Sequence, residues 1–497
     1  MTSATTATRS PILTRMPVRL LPDASRVVAT LFMPGEEMPE DHSRATAVIE
    51  RVLALTEDEV SATLADLTRR FAGRHRGLEA LFQRHYEIVA PRLAGVELSP
   101  GRQLLIGAYF THEESPEGAA LTNPSIVAHP DQTGLGPDEL RFVLSARAVG
   151  EGHISTVEFR TGVIGADDQV RVDPPGTLLL AGRPRPAAYE RDIFYAQMAE
   201  VGYDEDTAHL VLDGLGPRFD KLALDQAVGK LDRHILSRNV ARDTVRRLGW
   251  VAANNYEVSF PQDTAISERL LVPTGPTESN GIEDVRFVRF VGEDGAVMYY
   301  ATYTAYDGSH IVPQLLATQD FRTFKAHQLS GPAVRNKGMA LFPRRVDGRY
   351  LSLSRWDRES ISLVVSDDLW SWEGGDTIQL PRYPWELVQI GNCGSPIETP
   401  EGWLVLTHGV GPMRTYSIGV TLLDLNDPSR VIGALREPLV IPAADERNGY
   451  VPNVVYSCGA VLHGDAMILP FGFGDQAIGM ARVDVPVLLD RLLAASH

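Results

Sequence analysis

"YYATYTAYDGSHIVPQLLATQDFRTF" (residues 299–324) and "YLSLSRWDRESISLVVSDDLWSW" (residues 350–372) follow one plan. Each opens on an aromatic-led β-rich run, crosses a polar turn and continues in an apolar run. An Asp and an apolar residue follow, with an aromatic three residues later. Asp320 and Asp368 are 48 residues apart, the size of one blade of a β-propeller. Looser copies occur in "GWLVLTHGVGPMRTYSIGVTLLDLNDP", "AVLHGDAMILPFGFGDQAIGMARVDV" and "LRFVLSARAVGEGHISTVEFRTG". Five such units fit the chain. The expectation is a mainly β protein, a five-bladed β-propeller whose inner strands converge on a central channel. Residues distant in sequence can then share one pocket.

Helical texture interrupts this pattern twice. "TAVIERVLALTEDEVSATLADLTRRF" and "RGLEALFQRHYEIVAPRL" have apolar residues at helical spacing, with Thr56-Glu57-Asp58-Glu59 as an N-terminal cap. A second block spans about 187–248. The domain reading is an N-terminal helical region (1–100), a propeller catalytic domain (101–486) with the second block inserted between early blades, and a C-terminal tail (487–497).

The net charge of −17 argues against nucleic acid or an anionic membrane as partner. An anionic small substrate would need a local basic pocket. Cys393 and Cys458 cannot make a disulfide framework and lack metal-ligand spacing. No window approaches 18 apolar residues, and the N-terminus lacks signal-peptide features, so a soluble cytoplasmic protein is expected. The sequence contains no dinucleotide fingerprint, Walker loop, His-Glu-x-x-His or G-x-S-x-G elbow, and no histidine cluster with zinc spacing. No metal or other cofactor is expected.

In "ESNGIEDVRFVRF" (residues 278–290), two carboxylates, Glu283 and Asp284, adjoin where a turn signal gives way to a strand. Strand alternation sends neighbouring side chains to opposite faces, so only one of the pair should face the channel. Alternation alone does not say which.

"NGIEDVRF", "NKGMALFP", "WELVQIGNCGSPIETPEGWLVLTHGV", "YVPNVVYSCG" and "GFGDQAIGMA" resemble, in order, segments of the glycoside hydrolase family 130 β-mannoside phosphorylases. The resemblance covers about residues 120–485 and implies the five-bladed propeller reached from the repeats. Two departures stand out: Val285 replaces the Pro that usually follows the Glu-Asp pair, and the N-terminal helical region is longer than in short members. The resemblance implies inverting phosphorolysis of β-1,2- or β-1,4-linked manno-oligosaccharides, with inorganic phosphate as nucleophile and co-substrate and α-mannose 1-phosphate as product. An inverting hydrolase needs an acid and a carboxylate base. Phosphate is already an anion, so cations that hold it can replace the base.

On this resemblance Asp284 is the proton donor, acting through a sugar hydroxyl, and Glu283 a sugar-hydroxyl or structural ligand. Lys337, Arg355 and His408 match the phosphate-binding positions, and three cations at matching points of three repeats call for an anionic ligand. Asn123 and Arg147 resemble positions that hold the mannosyl unit or phosphate. Tyr303 lines the pocket or is a core tyrosine. Asp475 holds mannosyl hydroxyls or is a β-turn aspartate. The family often forms homo-oligomers, but nothing in the chain specifies a symmetry. Two other readings compete: a β-1,2-mannosidase of the same family, which would have lost the phosphate-binding cations, and a non-catalytic carbohydrate-binding propeller.

Overall fold

The structure is a computed structural model that describes residues 12–34, 43–93 and 95–494. The outermost ends of the expected N-terminal region and C-terminal tail lie outside the described residues. The chain divides into two compact units, one of residues 23–118 with 176–181 and one of the remainder.

In the smaller unit four helices, Arg44–Leu53, Glu57–Phe71, Leu78–Val89 and Pro100–Tyr109, accompany a strand pair, Val28–Leu31 with Thr111–Glu114. Thr56 and Glu59 form a reciprocal capping box that satisfies two otherwise orphaned amides. The helix Pro100–Tyr109 extends this unit past residue 100, because Ser99 caps it and Leu105 and Ile106 are fully buried among Ile49, Val52 and Val89. At Gly107 a Cβ would lie 1.8 Å from the Phe82 carbonyl oxygen, so only glycine permits the approach of this helix to Leu78–Val89.

The larger unit is mainly β, with five antiparallel sheets of four or more strands among the described residues. The first contains Ala120–Ala128, Leu140–Val149, Ser155–Ile164 and Val170–Val172. The second runs from Ile282–Val291 through Val297–Tyr306, Ile311–Thr318 and Thr323–Gln328, and is extended by Tyr256–Ser259 and Arg183–Pro186. The third comprises Lys337–Leu341, Tyr350–Arg355, Ile361–Ser366 and Thr377–Gln379. The fourth is built on Gln389–Asn392, Gly402–Val410, Tyr416–Leu423 and Val431–Ala434. The fifth holds Val455–Tyr456, Ala466–Phe473 and Ala477–Asp484.

The repeated Asp turn has a local cause. Asp320 Oδ1 accepts the amides of Arg322 and Thr323, and Asp368 Oδ1 those of Trp370 and Ser371. Thr318 accepts the amides of Asp320 and Phe321 through its side-chain oxygen, and Ser366 those of Asp368 and Leu369. Phe321 and Leu369 adopt positive φ (53° and 76°), unfavourable for L side chains, yet both are buried. Burial of Phe321 with Phe324, and of Leu369 with Trp372, offsets the backbone cost.

Hydrogen bonds join each sheet, or the residues flanking its strands, to the next. Phe287 N donates to Ser125 Oγ (3.1 Å), Val291 N to Pro343 O (2.9 Å) and Asn392 Nδ2 to Gly338 O (2.8 Å). Tyr416 N donates to Asn453 O (3.0 Å), and Leu121 N to Gln476 O (2.9 Å), which joins the fifth sheet to the first.

Residues 13–20, within the stretch read as a helical region, form a strand, Leu13–Leu20, that pairs antiparallel with Ala477–Asp484. Pro17 falls in the register shift between Arg15 and Arg19, where a missing N–H costs no ladder bond. The second helical block comprises Arg191–Val201, Glu205–Leu212, Lys221–Gly229, Arg233–Leu236 and Asn239–Ala253, around a core that includes Phe194, Met198 and Leu248. The stretch read as a tail continues the helix Val485–Ala494, whose Leu488 and Leu492 are fully buried. Among the described residues no helix is long and apolar enough to cross a membrane.

Candidate active site

All five sheets of the larger unit contribute to one cavity of about 210 Å³. Four of its lining residues, Asn123, Asp284, Arg414 and Asp475, have positive φ (48°, 52°, 54° and 50°). In the first two the strand register slips, between Thr122 and Ser125 and between Glu283 and Arg286. A bulge of this kind inserts an unpaired residue and re-aims its side chain.

This corrects the alternation argument. Glu283 and Asp284 both line the cavity, because the left-handed turn at Asp284 breaks the period of two between them. Their surroundings then set them apart. Glu283 bridges two cations, accepting from Arg147 (2.8 Å) and from Lys337 (2.5 Å). Asp284, 9% exposed, accepts from Asn123 Nδ2 through Oδ1 (2.5 Å) and meets Arg286 through Oδ2 (3.4 Å). Burial would raise the Asp284 carboxyl, but the charges of Arg286, Lys337 and Arg147 and the Asn123 amide outweigh it and lower it to about 2. Burial raises Asp475 instead, with Arg147 only partly opposing.

The opposite wall is cationic. Lys337 and Arg355 are cross-strand partners, and Arg355 Nη1 lies 3.4 Å from His408 Nε2. Gly391 pairs with His408 across the neighbouring strands, and a Cβ there would lie 2.6 Å from His408 Cε1 and 3.0 Å from Arg355 Cδ. The absent side chain thus gives Arg355 and His408 room to meet. His408 is 2% exposed; burial, then Arg355, push its imidazole far below its ordinary value, so it is a neutral ring rather than a third cation. Among the described residues, Arg355 Nε is an orphan, buried with no hydrogen-bond partner. Such orphans are costly unless a ligand completes them.

Of the expected residues, Asn123, Arg147, Glu283, Asp284, Lys337, Arg355, His408 and Asp475 all line this cavity. Tyr303 does not. Its hydroxyl is buried at 2.8 Å from Gln314 Oε1 and donates to Glu278 Oε1, in a cluster with Tyr256. Sequence reasoning missed Arg286, whose buried guanidinium donates to Cys393 O, Asp284 O and the Tyr456 hydroxyl. Its signal was a charged residue inside an apolar strand run. Tyr416 and Tyr456, whose rings lie 6.2 and 4.9 Å from that of His408, were missed too, although Tyr456 falls within a quoted motif. Arg414, exposed at the rim, carried no signal.

Residues 258–493 match a family model described as beta-1,4-mannooligosaccharide phosphorylase. A 1,2-beta-oligomannan phosphorylase from Thermoanaerobacter sp. (strain X514) is 32% identical over 212 residues, 42% of this chain and 70% of the relative. A beta-1,2-mannobiose phosphorylase from the same organism is 36% identical over 222 residues, 43% of this chain and 70% of the relative. Among solved structures, a beta-1,2-mannobiose phosphorylase from Listeria innocua aligns with a TM-score of 0.46 at 21% identity, over 77% of this chain and 93% of that one.

Proposed function

Since the chain belongs to glycoside hydrolase family 130, we propose that it catalyses inverting phosphorolysis of β-mannosides, taking a β-1,2- or β-1,4-linked manno-oligosaccharide and inorganic phosphate to α-mannose 1-phosphate. The observation that carries this reading is the convergence of Lys337, Arg355 and His408 on one cavity, Lys337 and Arg355 as cross-strand partners and Arg355 against the His408 ring. Four lining cations (Arg147, Lys337, Arg355 and Arg414) and Arg286 behind them face three carboxylates, Glu283, Asp284 and Asp475. The surplus of two positive charges suits a phosphate dianion, in a molecule whose overall charge is −17.

In this reading Lys337 and Arg355 hold phosphate by charge and His408 by hydrogen bonding, in line with the anomeric carbon. Asp284 gives its proton, through a mannosyl hydroxyl, to the departing oxygen. Asn123, Arg147, Glu283 and Asp475 hold the mannosyl unit, and Arg147 and Lys337 keep Glu283 ionised and fixed between them. The five sheets are taken as the blades of a β-propeller, supported by the hydrogen bonds that link each to the next and the fifth to the first. A cytoplasmic location belongs to the same proposal.

A second reading, hydrolysis, draws on the same cavity, because three carboxylates supply both the acid and the base that water would need. Incubation with β-1,2-mannobiose, with and without phosphate, separates the two. Mannose 1-phosphate formed only with phosphate supports phosphorolysis; equal release of free mannose in both tubes refutes it.

A further inference from the structure

A proton donor must hold a proton when its substrate arrives, yet the contacts at Asp284 suit a bare carboxylate. One oxygen takes a donor from Asn123 and the other faces Arg286. The charges around it are mostly positive: Arg286 and Glu283 on its own strand, Arg147 on the first sheet, and Lys337 and Arg355 on the third. His408 on the fourth sheet is neutral, and Tyr456, Cys393 and Cys458 are held protonated by burial. Asp475, raised by burial, is the remaining carboxyl on this side.

Resting on the phosphorolysis reading, we infer that phosphate binding and proton loading of Asp284 are one coupled event. The dianion, once bound against Lys337, Arg355 and His408, cancels the positive field that now favours the bare carboxylate, and Asp284 takes up one proton. Without phosphate the donor stays unloaded, so the cavity does not hydrolyse mannoside in idle turnover.

The balance closes. The bound complex holds HPO₄²⁻ and protonated Asp284. A phosphate oxygen forms a bond to the anomeric carbon as the glycosidic C–O bond breaks. The Asp284 proton passes through the mannosyl hydroxyl to the leaving oxygen, giving the free acceptor alcohol and mannose 1-phosphate monoanion. That product sheds one proton near neutral pH, as phosphate monoesters do. The proton taken up on binding is thus returned, and no other co-reactant is needed.

Lys337 ties the two halves together. Its ammonium is bonded to Glu283, the residue next to Asp284 in the chain, and its strand partner is Arg355. A dianion drawing Lys337 away from Glu283 would therefore be felt at the bulge that carries the acid.

The test is calorimetric titration of the whole protein with inorganic phosphate at pH 8, in two buffers of different ionisation enthalpy. Wild type should show net proton uptake as phosphate binds. Asp284→Asn should bind phosphate with uptake near zero, whereas His408→Gln should bind more weakly and keep the uptake. Phosphate binding without uptake in a wild-type protein that still makes mannose 1-phosphate would overturn the coupling and leave the phosphorylase reading intact. Uptake persisting in Asp284→Asn and vanishing in His408→Gln would put the proton on the imidazole, and also overturn it. Absence of both phosphate binding and mannose 1-phosphate would overturn coupling and phosphorolysis together.

Discussion

Gly391→Ala adds one methyl group between Arg355 and His408 and touches no other proposed role. The new Cβ would meet His408 Cε1 at 2.6 Å and Arg355 Cδ at 3.0 Å, where ordinary contacts begin at 3.4 Å. The imidazole belongs to a fully buried strand residue packed against Tyr456, so it has little room to recede. Overpacking of this kind costs about 1–3 kcal/mol. A displacement approaching 1 Å at a reacting centre costs roughly 10²-fold in rate. We therefore expect kcat/KM for phosphate to fall about 10- to 100-fold and the melting temperature to drop by several degrees. The mannoside side of the cavity is formed by other residues, so the KM for mannobiose should change less than threefold. The assay is initial-rate formation of mannose 1-phosphate, varying each substrate at saturating levels of the other. Equal loss on both substrates, or loss confined to mannobiose, would refute the assignment of Arg355 and His408 to phosphate.

Asn123→Ala removes the amide that donates to Asp284 at 2.5 Å, so the carboxyl should rise and the alkaline limb of the pH–rate profile, where the proton donor ionises, should move up by about one unit. Asp284 also makes a pH-dependent contribution to stability: its folded value of about 2 lies below the ordinary 3.8, so the contribution is present above about pH 4 and is lost as pH falls through 2. It amounts to about 2 kcal/mol, and Asp284→Asn should flatten the fall in melting temperature over that window. Asp368→Ala leaves the amides of Trp370 and Ser371 without their acceptor and should cost about 1–3 kcal/mol in chemical denaturation, with kcat unchanged. Arg286→Ala, which strips Asp284 of a buried counter-charge, should cost about 3–5 kcal/mol, and Arg286→Lys should recover part of it.

The 48-residue repeat was legible because its cause is local. Asp320 and Asp368 each close a turn by accepting amides two and three residues on, and such contacts leave a mark in neighbouring letters. Most of the expected residues that line the cavity came from motifs shared with a family. Periodicity alone misled at Asp284, where a φ of 52° breaks the alternation, and nothing in "IEDVRF" announces a bulge. The sequence leaves Tyr303 open between pocket and core; its burial against Glu278 and Gln314 depends on partners elsewhere in the chain. His408 was read as a cation by residue type, whereas its protonation depends on burial beside Arg355. The strand Leu13–Leu20 escaped because its ladder partner is Ala477–Asp484, at the far end of the sequence.

That last pairing bears on how the molecule is made. A ribosome delivers residues 13–20 long before 477–484, so the earlier strand waits for its mate while the strands between them emerge. Closing so long a loop is entropically costly and slow. Until it closes, the apolar side chains of Ala466–Phe473 lack their full cover and invite association with other nascent chains. The cavity, which draws on the fifth sheet through Tyr456 and Asp475, is thus complete only once these late residues are in place.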